Sequence, residues 1–388
     1  MLVAGATAGG AADPAIEELL NRVRAKVLDS AKNVPRYTCV ENISRIQYGP
    51  RPGRPTCKPV TSRSGMMWRD RIRLDVALVE GREMFAWRGS AFEAKEVGEL
   101  VPNGSSGSGD FISFVTSVFG SDTETIRYRG LEDNLAVFDY TVPLAKSHYL
   151  FHSNGGEKTA GYHGSFFVEA GSAQLRRLTI RTDPFPEEEN ACEVEDTLEY
   201  RTQAIGTGEF LLPELATMHV LFRDGEEAHN ETRYSDCREY VGQSTIRFDE
   251  AEEAGARVKA ASSPGTPLPP LTSGVRLKIA LSEPINTATA AAGDAVQGLI
   301  VGDVKDRKSG VVAHSHDRVR GRILRMEQSM YPSPRWIVRL RFDAIERNGE
   351  SRAVNLKQRG NGTDGIFVFP SRGDIMIDRN FQTEWETR

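Results

Sequence analysis

Between residues 13 and 35 apolar side chains recur at three- and four-residue steps. Ile16, Leu19, Leu20, Val23, Val27 and Ala31 fall on one stripe. Asp13 can cap this turn, Pro14 suits the first helical position, Glu17 and Glu18 favour the positive end of the dipole, and Pro35 stops further winding. The pattern predicts an amphipathic helix that must lie on something. Beyond it the period becomes two. RIRLDVAL sets Ile72, Leu74, Val76 and Leu78 on one face and Arg71, Arg73 and Asp75 on the other. Further strands are predicted at 83–87, 124–129, 134–142, 147–153, 164–170, 175–183, 193–200, 215–222, 232–242 and 244–248. Asp224–Gly225 reads as a hairpin turn, because both residues tolerate positive φ. Short turns without intervening helices describe an antiparallel meander, not parallel crossovers.

One segment breaks the meander. A Gly/Ser loop at 103–110 leads into FISFVTSVFG at 111–120, a short helix with an aromatic face (Phe111, Phe114, Val115, Val118, Phe119) and Asp110 as its natural cap. A helix docked on the sheet is the ordinary reading, and a lid fed by a flexible loop is the sharper one. SSPGTPLPPLTS at 262–273 is an extended, proline-rich linker. After it, 275–285, 294–304, 317–326, 335–346 and 350–357 read as five short strands of a small barrel or sandwich, to which IFVF adds a sixth. In RWIVRLRF the arginines point outward and Trp336, Val338, Leu340 and Phe342 inward. The fold class is therefore mainly β (α+β): an incomplete antiparallel β-barrel with an N-terminal helix and a short apolar helix, plus a second small β-domain. The expected division is a leader at 1–12, a first domain at 13–250, a linker at 251–273 and a second domain at 274–388.

Charge sharpens the division. Residues 261–388 carry 19 Lys and Arg against 14 Asp and Glu, which leaves 30 against 40 in residues 1–260. Two solvated surfaces explain this asymmetry, and an anionic partner for the basic lobe is the sharper alternative. The overall net charge of -5 disfavours a dedicated nucleic-acid binder. No run approaches the roughly 18 apolar residues of a membrane-spanning helix. MLVAGATAGGAA, with Ala-x-Ala-like spacing, reads as the tail of a secretory signal. Cys39, Cys57, Cys192 and Cys237 are even in number, form no C-x-x-C pair and lie at no zinc-finger spacing from a histidine, which favours disulfides and a periplasmic or secreted location. Three pairings are open, and Cys39–Cys57 with Cys192–Cys237 is the most local.

Motifs for chemistry are missing. HExxH, GxSxG, the GxxxxGK phosphate loop and GxGxxG are all absent, so neither an enzyme nor a cofactor is expected. His148 and His152 lie about 13 Å apart at strand rise, too far to share a metal. His314 and His316 with Asp317 make a better pair, although an exposed turn is the ordinary reading. Glu187, Glu188 and Glu189 read as a solvated loop.

The order of helix, long strands, short apolar helix and more strands, with segments such as DRIRLDVALVEGREMFAW and GSGDFISFVTSVFG, resembles the LolA, LolB and RseB-like periplasmic lipoprotein carriers over about residues 13–250. The resemblance implies an incomplete barrel that shelters apolar chains. LTSGVRLKIALSEPINTATAAAGDAVQGLIVGDV and VRGRIL are similar to a small TrbI-like β-domain, with AHSHD where relatives have a Pro-x-Gly turn. The expected function is that of an exported, non-catalytic envelope protein. It would bind a lipid or lipoprotein acyl chain between Phe111, Phe114 and Phe119 of the helix and Ile72, Leu74 and Val76 of the sheet. The alternative is an interaction module with a filled core and an envelope protein as partner.

Overall fold

The computed structural model describes residues 13–50, 57, 65–79, 81–94, 96–101, 103–107, 109, 111–153, 156–240, 271–306, 310–360 and 364–388. The leader, the strand expected at 244–248, Asp110 and the linker up to residue 270 lie outside them. In chain order the elements are α1 (Pro14–Asn33), β1 (Tyr37–Tyr48), β2 (Met66–Val79), β3 (Arg82–Trp87), α2 (Val97–Leu100), α3 (Ser113–Phe119), β4 (Thr125–Glu132), β5 (Leu135–Val142), β6 (Tyr149–Ser153), β7 (Gly156–Ala160), β8 (Tyr162–Glu169), β9 (Gln174–Thr182), β10 (Ala191–Ile205), β11 (Gly208–Phe222) and β12 (Glu227–Glu239). They continue with β13 (Arg276–Leu281), β14 (Ile285–Asn286), β15 (Ala295–Ile300), β16 (Val304–Asp306), β17 (Gly310–Ala313), β18 (Arg318–Ser329), β19 (Arg335–Arg347), β20 (Glu350–Ala353), β21 (Leu356–Gln358), β22 (Ile366–Pro370), β23 (Met376–Ile377) and β24 (Gln382–Thr387). The fold is mainly β, and its large antiparallel sheet does not close into a barrel.

The chain forms two compact units, each drawn from two stretches of sequence: residues up to 35 with 109–222, and 36–108 with 223–388. A linear reading does not anticipate this. Its cause in the second unit is the long pairing of β1 with β12, from Tyr37↔Glu239 to Tyr48↔Glu227.

In the first unit β4, β5, β8, β9, β10 and β11 form a meander in chain order. Asp13 caps α1 as expected, accepting from the Ala15 N–H at 3.0 Å, and Leu19, Val23 and Val27 are buried. Arg22 and Lys26 tie the helix to the carbonyls of Ala170, Gly171 and Ser172. The short apolar helix begins two residues later than its sequence pattern, at Ser113, and Ile112 at its N-cap offers no side-chain bond. Val115, Val118 and Phe119 share one core with α1 and with Phe138, Phe166, Leu178 and Leu198 of the sheet. The opposite face of the sheet carries cross-strand ion pairs: Arg177–Glu199, Arg181–Glu195 and Arg201–Glu214. A sheet with one apolar and one charged face needs helices on the apolar side only.

In the second unit β1 lies between β2 and β12, and β2 pairs in turn with β3. The 274–388 region wraps Leu277, Ile279, Val319, Trp336, Val338, Phe342 and Trp385 into one core, so the inward set of the RWIVRLRF strand is as expected. β13 pairs with β15 and β24, β18 with β15 and β19, and β19 also with β20 and β22. This region joins β2 directly. β18 pairs with it at Glu327↔Asp70, and Ala292 exchanges backbone hydrogen bonds with Arg71 and Arg73. Gly293 is required at that contact: its φ is +105°, and a Cβ there would lie 1.9 Å from the Arg73 carbonyl oxygen.

The cysteines correct the most local pairing. Cys39 bonds Cys237, not Cys57, across 198 residues of sequence. Strand pairing places Thr38 opposite Arg238 and Val40 opposite Ser235, so Cys39 sits at a bulge beside Cys237. Cys57 and Cys192 are disulfide-bonded as well, and no described cysteine is free.

Candidate functional site

The six residues expected to line an apolar hollow fall in two units. Ile72, Leu74 and Val76 lie on β2 and are 1 %, 0 % and 2 % exposed. They face residues of their own sheet, with Val76 opposite Cys39 and Phe85, and Leu74 opposite Trp87. Phe111 and Phe119 belong to the first unit and are 3 % and 1 % exposed. Phe119 packs on Phe166 at 4.8 Å, and Phe166 stacks on Phe138 at 5.0 Å. Phe114 is half-buried at the rim of that core. A side chain lining space wide enough for an acyl chain stays exposed to that space. The protein's own side chains occupy the surroundings of five of these six residues.

A polar cluster lies beneath α3. The Tyr162 hydroxyl donates to Ser117 Oγ at 2.7 Å, Tyr140 donates to the Thr179 carbonyl at 2.9 Å, and Tyr149 donates to Asp196 at 3.0 Å. The rings touch in a chain: Phe114 to Tyr149 at 5.8 Å, Tyr149 to Tyr162 at 5.9 Å and Tyr162 to Tyr140 at 6.2 Å. Burial, then the neighbouring Tyr162, pushes the Tyr140 phenol well above its ordinary pKa. Burial raises that of Tyr162 too, against the hydrogen bond to Ser117. Phenols held neutral in this way donate hydrogen bonds and are poor nucleophiles. The cluster fixes α3 on the sheet.

The second unit buries a charge pair. Arg45 grips Asp70 with two parallel bonds of 2.9 and 2.6 Å, and both side chains are almost wholly covered. The Trp68 ring lies 5.6 Å from the guanidinium. The Gly/Ser loop closes over them: the Ser105 carbonyl accepts from Arg45 at 3.4 Å and from Asn230 at 2.9 Å. At Gly104, φ is +78° and a Cβ would lie 2.6 Å from Trp68. This loop therefore acts as a cover for an ion pair.

The remaining candidates are ordinary. His148 is exposed, 3.8 Å from Asp122, and nothing is described of the His152 side chain. His314, His316 and Asp317 form a turn instead of a strand. Asp317 accepts from the His314 N–H at 2.7 Å and faces Arg347, and His316 meets the Ser315 hydroxyl. Glu187 and Glu188 are exposed, and Glu189 is buried beside the Pro186 turn. Arg45, Asp70 and the Tyr140–Tyr149–Tyr162 chain were not found from sequence, because charged or phenolic residues at alternating strand positions look solvent-facing.

No protein-family model, curated protein or solved structure matches the chain.

Proposed function

We propose that the protein is an exported, non-catalytic module of the cell envelope that acts through its outer surfaces. The observation that carries this is the burial of the residues expected to line a ligand hollow. Phe111, Phe119, Ile72, Leu74 and Val76 are each at most 3 % exposed, which leaves them almost no surface to offer an acyl chain. Export is supported by the leader-like N-terminal sequence and by four cysteines that are all disulfide-bonded. No described helix is long and apolar enough to cross a membrane. The neutral phenols beneath α3 and the paired Arg45 and Asp70 are suited to holding elements together. The order of elements that resembles the lipoprotein carriers in sequence would then serve as a scaffold without a ligand hollow.

The test is photo-crosslinking in intact envelopes together with displacement of an acyl-chain fluorophore from the purified protein. The expected result is an envelope partner crosslinked through surface positions and no saturable fluorophore binding. Saturable binding abolished by Phe119→Trp would overturn the reading.

A further inference from the structure

The outer face of the β18–β19 ribbon has an arrangement that strand pairing disfavours. In register, Arg322 stands opposite Arg341 and Arg325 opposite Arg339. Directly opposed like charges destabilise a sheet. Some are compensated: Arg325 bonds Glu327 at 2.6 Å, and Arg320 lies 3.1 Å from Glu346. Arg322 is half-buried and held by the Gly293 carbonyl at 2.6 Å and the Ser90 hydroxyl at 3.1 Å. Arg339 and Arg341 are exposed and pair with no carboxylate among the described residues. Within its compact unit, the fold makes no use of these two guanidiniums.

An apolar row runs beside them. β22 pairs with β19 so that Pro370 faces Arg335, Val368 faces Ile337 and Ile366 faces Arg339. Val368 is 53 % exposed, and Tyr331, on the turn joining β18 to β19, is 61 % exposed. Cations alone would suit a polyanion in solution. Cations next to large apolar side chains left in water match a surface with an anionic layer above an apolar one. Guanidinium also matches phosphate oxygens in paired hydrogen bonds.

We propose that this face docks on an anionic lipid surface, with Arg339 and Arg341 contacting the headgroup phosphates and Val368 entering the headgroup boundary. The proposal rests on the reading of the protein as a surface-acting module and names the partner. The two fail separately: a lipid carried inside is read by fluorophore displacement, and docking is read on vesicles.

The experiment is co-sedimentation of the full chain with vesicles of phosphatidylcholine alone or mixed with phosphatidylglycerol. Binding is expected only to the mixed vesicles and should fall as salt rises. Arg339→Gln with Arg341→Gln should lower the partition coefficient about 30-fold, from the usual contribution of two surface cations. That variant removes the cross-strand repulsion, so its melting temperature should equal or exceed that of the wild type. Lys357→Gln with Arg359→Gln changes net charge equally at another place and should have little effect. Val368→Asp should weaken binding at every salt concentration. Four results would overturn the proposal: equal binding to neutral vesicles, no binding to mixed vesicles, equal loss in the Lys357/Arg359 variant, or capture of soluble polyanions without capture of vesicles.

Discussion

Beneath α1 and α3 the first unit buries Phe119, Phe138, Phe166, Leu178 and Leu198, and the polar groups among them include the hydroxyls of Ser117, Tyr140 and Tyr162. Between β1, β2 and β12 the second unit buries a full ion pair, Arg45 with Asp70, along with Gln47 and Asn230. An apolar interior constrains volume and tolerates exchange among hydrophobic side chains. A buried ion pair constrains partners: each charge is bearable only while the other is in place. In a sheet that requirement also fixes register, since a slip of one residue between β1 and β2 would turn Arg45 and Asp70 to opposite faces. These two regions are thus specified by different means, shape beneath the helices of the first unit and pairing between β1 and β2 of the second.

The contrast can be tested from its largest expected effect downward. Cys39→Ser with Cys237→Ser removes the bond that joins β1 to β12 and should cost about 4 kcal/mol, the upper end of the usual range. Urea unfolding followed by hydrogen exchange should show β1, β2 and β12 losing protection before the first unit's meander. Equal loss in both units would remove the distinction.

Asp70→Ala leaves Arg45 buried and unpaired and should cost about 3–5 kcal/mol, whereas Arg45→Met with Asp70→Leu should recover most of it. Phe119→Ala should cost a similar amount, about 3–5 kcal/mol, through the cavity it leaves. The units separate on the conservative changes. Phe119→Leu should be mild, while Asp70→Asn should remain costly. Denaturant titration reads both, and a cheap Asp70→Asn would contradict the account of the second unit.

Tyr162→Phe removes the bond to Ser117 and should cost about 1 kcal/mol by thermal melting. The smallest effect concerns Glu226, which accepts from Gln47 at 2.8 Å. Burial, then Asp224, raises its carboxyl pKa above the usual range. The folded protein therefore holds that proton more tightly than the unfolded chain, so the group favours folding at low pH and loses that contribution as pH rises through its folded value. Glu226→Gln should raise the melting temperature at neutral pH and not at acid pH. A larger gain at acid pH would reverse the sign.

Much of the fold is legible in the sequence, because burial and period agree where one face of an element is apolar. The α1 stripe and its Asp13 cap, the β2 alternation and the inward set of β19 are of this kind. β1 is not legible. Its inward positions include Glu41, Arg45 and Gln47, so period-two hydrophobicity is lost over a twelve-residue strand. The disulfide partner of Cys39 follows from β1 reaching β12, a pairing that spacing along the chain does not encode. The aromatic face of α3 is legible as apolar, but the sequence is silent on whether it faces a hollow or side chains. Packing against Phe166 and α1 supplies that answer.

The claim on which the functional reading turns is that these interiors hold nothing but their own side chains. Native mass spectrometry of the protein isolated from envelopes without detergent tests it most directly. The expected result is the mass of the processed, fully oxidised polypeptide alone. A stoichiometric adduct that dissociates as an acyl lipid would contradict it.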